Sequence, residues 1–143
     1  MTNILFVCTG NTCRSPMAEA IAKQNVQDIH VKSAGVFAAD GSPASIHTVE
    51  ALREQGIGIQ HSSQLLTEEL VNWSDYIFTM THSHKQLVIE RFPQAGVKTY
   101  TLKEFAEGSA GDVMDPYGGS LAIYRETYNE LKTMVDSMVE KLK

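Results

Sequence analysis

Ile4-Leu5-Phe6-Val7-Cys8-Thr9-Gly10-Asn11-Thr12-Cys13-Arg14-Ser15-Pro16 reads as a strand, a loop and the opening of a helix. Ile4 to Val7 is an unbroken β-prone apolar run, the pattern of a strand buried on both faces. Thr9-Gly10-Asn11-Thr12 ends it. Ser15 suits an N-cap and Pro16 the first helical position, where its missing N–H costs nothing, and the pattern predicts a helix through Asn25. The loop therefore runs from the C-terminal end of a strand to a helix N-terminus.

The alternation continues along the chain. A second strand is expected from His30 to Ser33, closed by Ala34-Gly35, and then a helix from about Ala44 to Gln55, stopped by Gly56 and Gly58. An extended Ile57 to His61, a capped short helix from Thr67 and a buried strand Tyr76 to Met80 follow. Next come a helix from about Ser83 to Arg91, ending before Pro93, and a short strand around Val97 to Tyr100. In the last segment Leu121, Tyr124, Tyr128, Leu131, Val135, Met138 and Leu142 mark one helix face, expected to pack on the chain's own sheet rather than to pair with a second copy. No repeat or linker divides the sequence. Such βα alternation predicts an α/β fold, one domain over 1–143, with a parallel sheet, helices on both faces and ligands bound at the C-terminal ends of the strands. The Cys8 loop lies at such an end.

Composition narrows the class. The 143 residues are 43% apolar and 20% charged, enough for a core without metals or disulfides. No apolar run approaches a membrane span, and the N-terminus reads straight into a strand without a basic leader, so a cytoplasmic protein is expected. The net charge of −5, from 12 basic and 17 acidic residues, comes with no basic cluster, so neither nucleic acid nor a membrane is an expected partner. Cys8 and Cys13 share one short loop, a poor way to staple a fold. Their role is chemical.

From Cys8 to Ser15 a thiol ends a strand and, after the loop, a guanidinium opens a helix. Successive loop N–H groups can converge on the oxygens of an anion, the helix dipole adds positive potential, and Arg14 can grip two equatorial oxygens of a phosphate. The same groups would stabilise a Cys8 thiolate, with Ser15 as a further donor. A lone cysteine and arginine would be compatible with an ordinary βα turn; here strand, glycine, arginine, serine and proline all fall where a phosphate site needs them.

On these residues the chain resembles the low-molecular-weight protein tyrosine phosphatases and their relatives, the bacterial protein arginine phosphatases. The resemblance spans the chain: Cys8 to Pro16, Ser33-Ala34-Gly35, Gly56-Ile57 leading to His61, and Asp115-Pro116-Tyr117. It implies a three-layer sandwich with a four-stranded parallel sheet flanked by helices. It also implies a phosphate cradle of Thr9, Gly10, Asn11, Thr12, Cys13 and Arg14, a nucleophile in Cys8, and action without metal on phosphorylated proteins; a monomer without cofactor is expected. Asp115 is the only aspartate in a rigid, turn-like setting late in the chain, and the resemblance makes it the acid that protonates the leaving group and then the base that activates water. Asn11, Ser33 and His61 match family positions whose side chains, the resemblance implies, hold the loop in shape, with Ser15 expected beside them. Cys13 is either a small buried residue or, as the resemblance implies, the reversible disulfide partner that protects Cys8 from oxidation. His82 and His84 are two apart, point to different helix faces and complete no zinc pattern, and the remaining histidines suggest no function.

Tyrosine-specific relatives usually carry a larger aliphatic residue at Thr12 and often a second aromatic residue after the position of Tyr117. This chain has Thr12 and Gly118, which resemble the arginine phosphatase branch. A threonine beside the loop can favour a planar guanidinium while crowding a phenyl ring, and Asp115 can pair with that guanidinium. Phosphoarginine is the expected substrate, with phosphotyrosine the alternative. Arsenate reductases on this scaffold need further cysteines to relay a disulfide, and this chain has none beyond Cys13. A silent phosphate-binding module would retain Arg14 without needing Cys8 or Asp115.

Overall fold

The structure is a computed structural model that describes residues 2–24 and 28–142. The expected helix end at Asn25 lies outside the described residues, as do Met1 and the last residue. The apolar run at the N-terminus forms β1 (Thr2–Cys8), whose residues 4–7 have no exposed surface. Such a strand must be central. It pairs in parallel with β2 (Ile29–Gly35) on one side and β3 (Tyr76–Thr79) on the other, and β4 (Thr99–Thr101) closes the order 2-1-3-4.

Because side chains alternate along a strand, β1 feeds two cores. Ile4 and Phe6 join Phe78 on one face, packed with α1 (Arg14–Gln24), α2 (Ile46–Arg53), α5 (Leu102–Glu107) and α6 (Leu121–Leu142). Leu5 and Val7 face the opposite way, with Ile77, against α3 (Glu68–Trp73) and α4 (His82–Arg91). The result is the expected three-layer α/β sandwich. The stripe on α6 buries Tyr124, Tyr128, Leu131, Val135 and Met138 in the same core as Ile4 and Phe6, and α6 lies against α1, α2 and α5.

Two local readings change, at Ser15 and at α5. Ser15 is not an N-cap: α1 already includes Arg14, and the Ser15 hydroxyl is engaged by the Cys8 thiol and the Asn11 amide. Ile57 to His61, read only as extended, belongs to no helix or strand, and a single bridge, Gly35 to Leu65, ties the following segment to the end of β2. A short helix, α5, stands where none was expected, closed at its start by Thr101 and Glu104 and at its end by Gly108 at φ 73°.

Candidate active site

The loop between β1 and α1 is shaped from outside. The Cys8 and Thr9 carbonyls accept from Val36 and Phe37 N–H, the Thr12 carbonyl from Ser45 N–H and the Cys13 carbonyl from Met17 N–H, while the Asn11 carbonyl accepts from His61 Nε2 at 2.6 Å. With those carbonyls drawn outward, the N–H groups of residues 10–13 donate to no carbonyl or side chain among the described residues. They are donors without acceptors, at the start of a helix whose first turn carries no acid: an anion cradle. Gly35 lets the neighbouring strand come this close, since a Cβ there would stand 2.5 Å from the Thr9 carbonyl oxygen and 3.0 Å from the Asn11 nitrogen.

Cys8 Sγ lies 2.8 Å from Ser15 Oγ, and the thiol is buried at the base of a cleft of about 190 Å³ lined by Thr9, Gly10, Thr12, Cys13, Arg14, Asp115 and Tyr117. Arg14 is almost fully buried. Its Nη1 donates to the Val113 carbonyl at 2.9 Å and its Nη2 faces Asp115 Oδ2 at 3.6 Å, so the guanidinium is fixed from behind while the carboxylate, half exposed, stands at the rim. Asp115 Oδ1 accepts the Tyr117 N–H at 3.0 Å, an Asx turn that fixes the carboxylate against its own backbone.

The structure brings Asn11, Ser15, Ser33 and His61 into one network. Asn11 Nδ2 donates to Ser15 Oγ at 2.8 Å and to Ser33 Oγ at 2.9 Å, and its Oδ1 accepts from Gln64 N–H at 3.0 Å. Ser33 in turn donates to Glu19 at 2.5 Å. Both cysteines are free thiols; Cys13 Sγ lies 3.4 Å from Tyr124 Oη and 3.7 Å from Ser45 Oγ. Burial, with the contact to Cys13 second, pushes the Tyr124 phenol up to about 12.

Sequence reasoning misses His84. Set aside above, it is buried on the first turn of α4, with Nε2 2.8 Å from Thr9 Oγ1 in the cleft wall and Nδ1 without a partner among the described residues. Burial, and next the Arg14 guanidinium, lower its pKa to about 4 against the opposing pull of Asp112 and Asp115. Gln64, Glu19 and Val113 are missed as well. Nothing in their local sequence marks them.

A buried thiol under an anion cradle, an arginine held behind it and a carboxylate at the rim, at the C-terminal end of a parallel sheet, define a cysteine-based phosphatase. Residues 3–143 match the model of the low molecular weight phosphotyrosine protein phosphatase family, and the chain belongs to that family. It is 50% identical over 140 residues to a protein-arginine-phosphatase of Geobacillus stearothermophilus, an alignment covering 97% of this chain and 95% of the relative. Among solved structures, the YwlE arginine phosphatase of the same organism superposes with a TM-score of 0.97 at 49% identity, covering 99% of this chain and 93% of the other. A YwlE variant with serine in place of the cysteine, described as carrying a phosphorylated active-site serine, superposes with a TM-score of 0.95 at 47% identity, covering 99% and 95%.

Proposed function

We propose that the chain hydrolyses phosphoarginine in proteins through a phosphocysteine on Cys8. The Cys8 thiolate attacks phosphorus in line as the N–P bond breaks, and Asp115 gives its proton to the departing guanidine nitrogen. Charge on the transferring group is held by Arg14 and the free N–H groups of the loop. Asp115, now a carboxylate, takes a proton from water as its oxygen attacks phosphorus. The S–P bond breaks, and phosphate and thiolate are released. Ser15 Oγ, at 2.8 Å, is placed to donate to the sulfur whenever it carries charge. Asn11, Ser33 and His61 hold the loop in the shape this requires. The phosphorylated serine in the YwlE variant supports a covalent intermediate at the position of Cys8.

The substrate assignment is carried by Thr12, which lines the cleft beside Cys8 and Tyr117 and leaves room that a larger aliphatic side chain would fill, and the name of the half-identical relative supports it. Tyr117 is exposed, a flat wall against which a guanidinium can stack. Steady-state kcat/KM on phosphoarginine and phosphotyrosine peptides tests the assignment: the parent prefers phosphoarginine, and Thr12→Ile shifts the ratio toward phosphotyrosine by about tenfold, the effect of one or two misplaced methyl groups. A parent that prefers phosphotyrosine would overturn it.

A further inference from the structure

We propose that His84 is a positioning residue of this site: a neutral imidazole with its proton on Nε2 that donates to Thr9 Oγ1 and so leaves the Thr9 hydroxyl proton for an oxygen of the bound phosphoryl group. The inference rests on the reading of the Cys8 cleft as the phosphate site.

The charge state follows from placement. His84 is buried, belongs to the first turn of α4, where the helix dipole opposes a cation, and shares its field with Arg14. Asp112, which accepts the His82 N–H, and Asp115 are the groups that favour protonation, and both are exposed to solvent, which weakens them.

The tautomer follows from hydrogen-bond accounting. A neutral imidazole has one N–H and one lone pair. Nδ1 is buried without a partner among the described residues, so a proton there would be a stranded donor, which folded proteins avoid more strictly than a stranded acceptor. The proton therefore sits on Nε2, 2.8 Å from Thr9 Oγ1. Thr9 Oγ1 then accepts from His84, and its own proton is free. Thr9 is exposed and lines the cleft with Cys8, Gly10 and Arg14, so its proton is open to an anion held there. The opposite tautomer would draw the Thr9 proton away from the cleft, and the two arrangements therefore predict opposite behaviour.

Inorganic phosphate is the probe. Its inhibition constant, and kcat/KM on p-nitrophenyl phosphate, are measured for the parent, Thr9→Val, His84→Ala, His84→Gln and the double variant Thr9→Val/His84→Ala, while 15N spectra of labelled histidine report the tautomer with and without phosphate. Thr9→Val should weaken phosphate about tenfold, the worth of one hydrogen bond to a charged acceptor. His84→Ala should approach that loss, the double variant should be no worse than Thr9→Val, and His84→Gln, whose amide N–H can reach the place of Nε2–H, should recover most of it. Nε2 should be the protonated nitrogen. Additive losses in the double variant, a His84→Gln no better than His84→Ala, or an Nδ1-protonated ring overturns the proposal. If His84→Ala does not fold, His84→Gln, Thr9→Val and the spectra still decide it. A parent that binds no inorganic phosphate overturns the reading of the cleft and the proposal with it, whereas bound phosphate beside an Nδ1-protonated His84 overturns the proposal alone.

Discussion

Asn11 stands at φ 57°, the one non-glycine residue at positive φ among the described residues, and its amide bonds to Ser15, Ser33 and Gln64 explain why the backbone stays there. Asn11→Ala should keep the strain and lose all three bonds; Asn11→Gly should lose the bonds and relieve the strain. Both are expected to lower kcat/KM about ten- to a hundredfold, as for residues that orient an active-site group. Urea melts should place the Gly variant above the Ala variant by roughly 1 kcal/mol; equal stabilities would show that the loop is unstrained at this position. His84 makes a pH prediction. Its pKa is lowered from 6.5 to about 4, chiefly by burial, so below pH 6.5 the unfolded chain takes up a proton that the folded chain refuses. The residue therefore costs stability as pH falls from about 6.5 to about 4, by roughly 2–3 kcal/mol in all, and nothing above about pH 7. Unfolding free energies measured across that window should fall more steeply for the parent than for His84→Gln. Parallel curves would mean that the folded ring accepts the proton.

Among the elements, α5 depends most on its ends. Six residues are too few to hold a helix by propensity. Thr101 Oγ1 accepts the Glu104 N–H at 3.1 Å, Glu104 Oε2 accepts the Thr101 N–H at 2.8 Å, and Lys85 on α4 reaches the same carboxylate at 2.9 Å. Thr101→Ala should cost about 1 kcal/mol, and Glu104→Ala, which removes the return bond and the ion pair together, should cost more. Urea melts measure both, and a silent Glu104→Ala would show that Leu102 and Ala106, buried in the core, anchor the helix unaided. The Thr-x-x-Glu signature and Gly108 stand in the sequence, but so short a helix shows no periodicity between them. The longer elements are legible because each announces its own burial: β1 as an unbroken apolar run, α6 as a stripe. The same contrast governs the site. Cys8 to Arg14 is legible because the cradle is contiguous, whereas His84, Gln64 and Val113 reach it across 75, 53 and 99 residues, and only the packed sheet sets those distances.

Seen across the molecule, the site depends on one residue of the acid-bearing segment. Residues 109–116 form no helix or strand, yet Asp115 must keep its place above the cradle. Two positions earlier, Val113 N–H donates to the Met80 carbonyl just beyond β3 at 2.8 Å, the Val113 carbonyl accepts from Arg14 at 2.9 Å, and its side chain is buried in the core shared by Phe6 and Leu131. Sheet, guanidinium and acid are thereby tied at a single point. Val113→Ala leaves both backbone bonds available but removes the packing that fixes them, at a cost of roughly 2 kcal/mol in stability. Its kinetic effect should depend on the leaving group. Nitrophenolate departs without a proton, whereas phenolate and guanidine need one from the proposed acid; the later attack of water, in which Asp115 would serve every substrate as base, enters kcat but not kcat/KM, so in kcat/KM a displaced Asp115 matters only for the second kind. Val113→Ala should therefore lower kcat/KM about tenfold on phenyl phosphate and phosphoarginine peptide, and by no more than about twofold on p-nitrophenyl phosphate. Asp115→Asn should show the same pattern, more strongly. Equal losses in kcat/KM on all three substrates would mean that Val113 acts through Arg14, which in the proposed mechanism holds the phosphoryl group of every substrate, and not through the placement of Asp115.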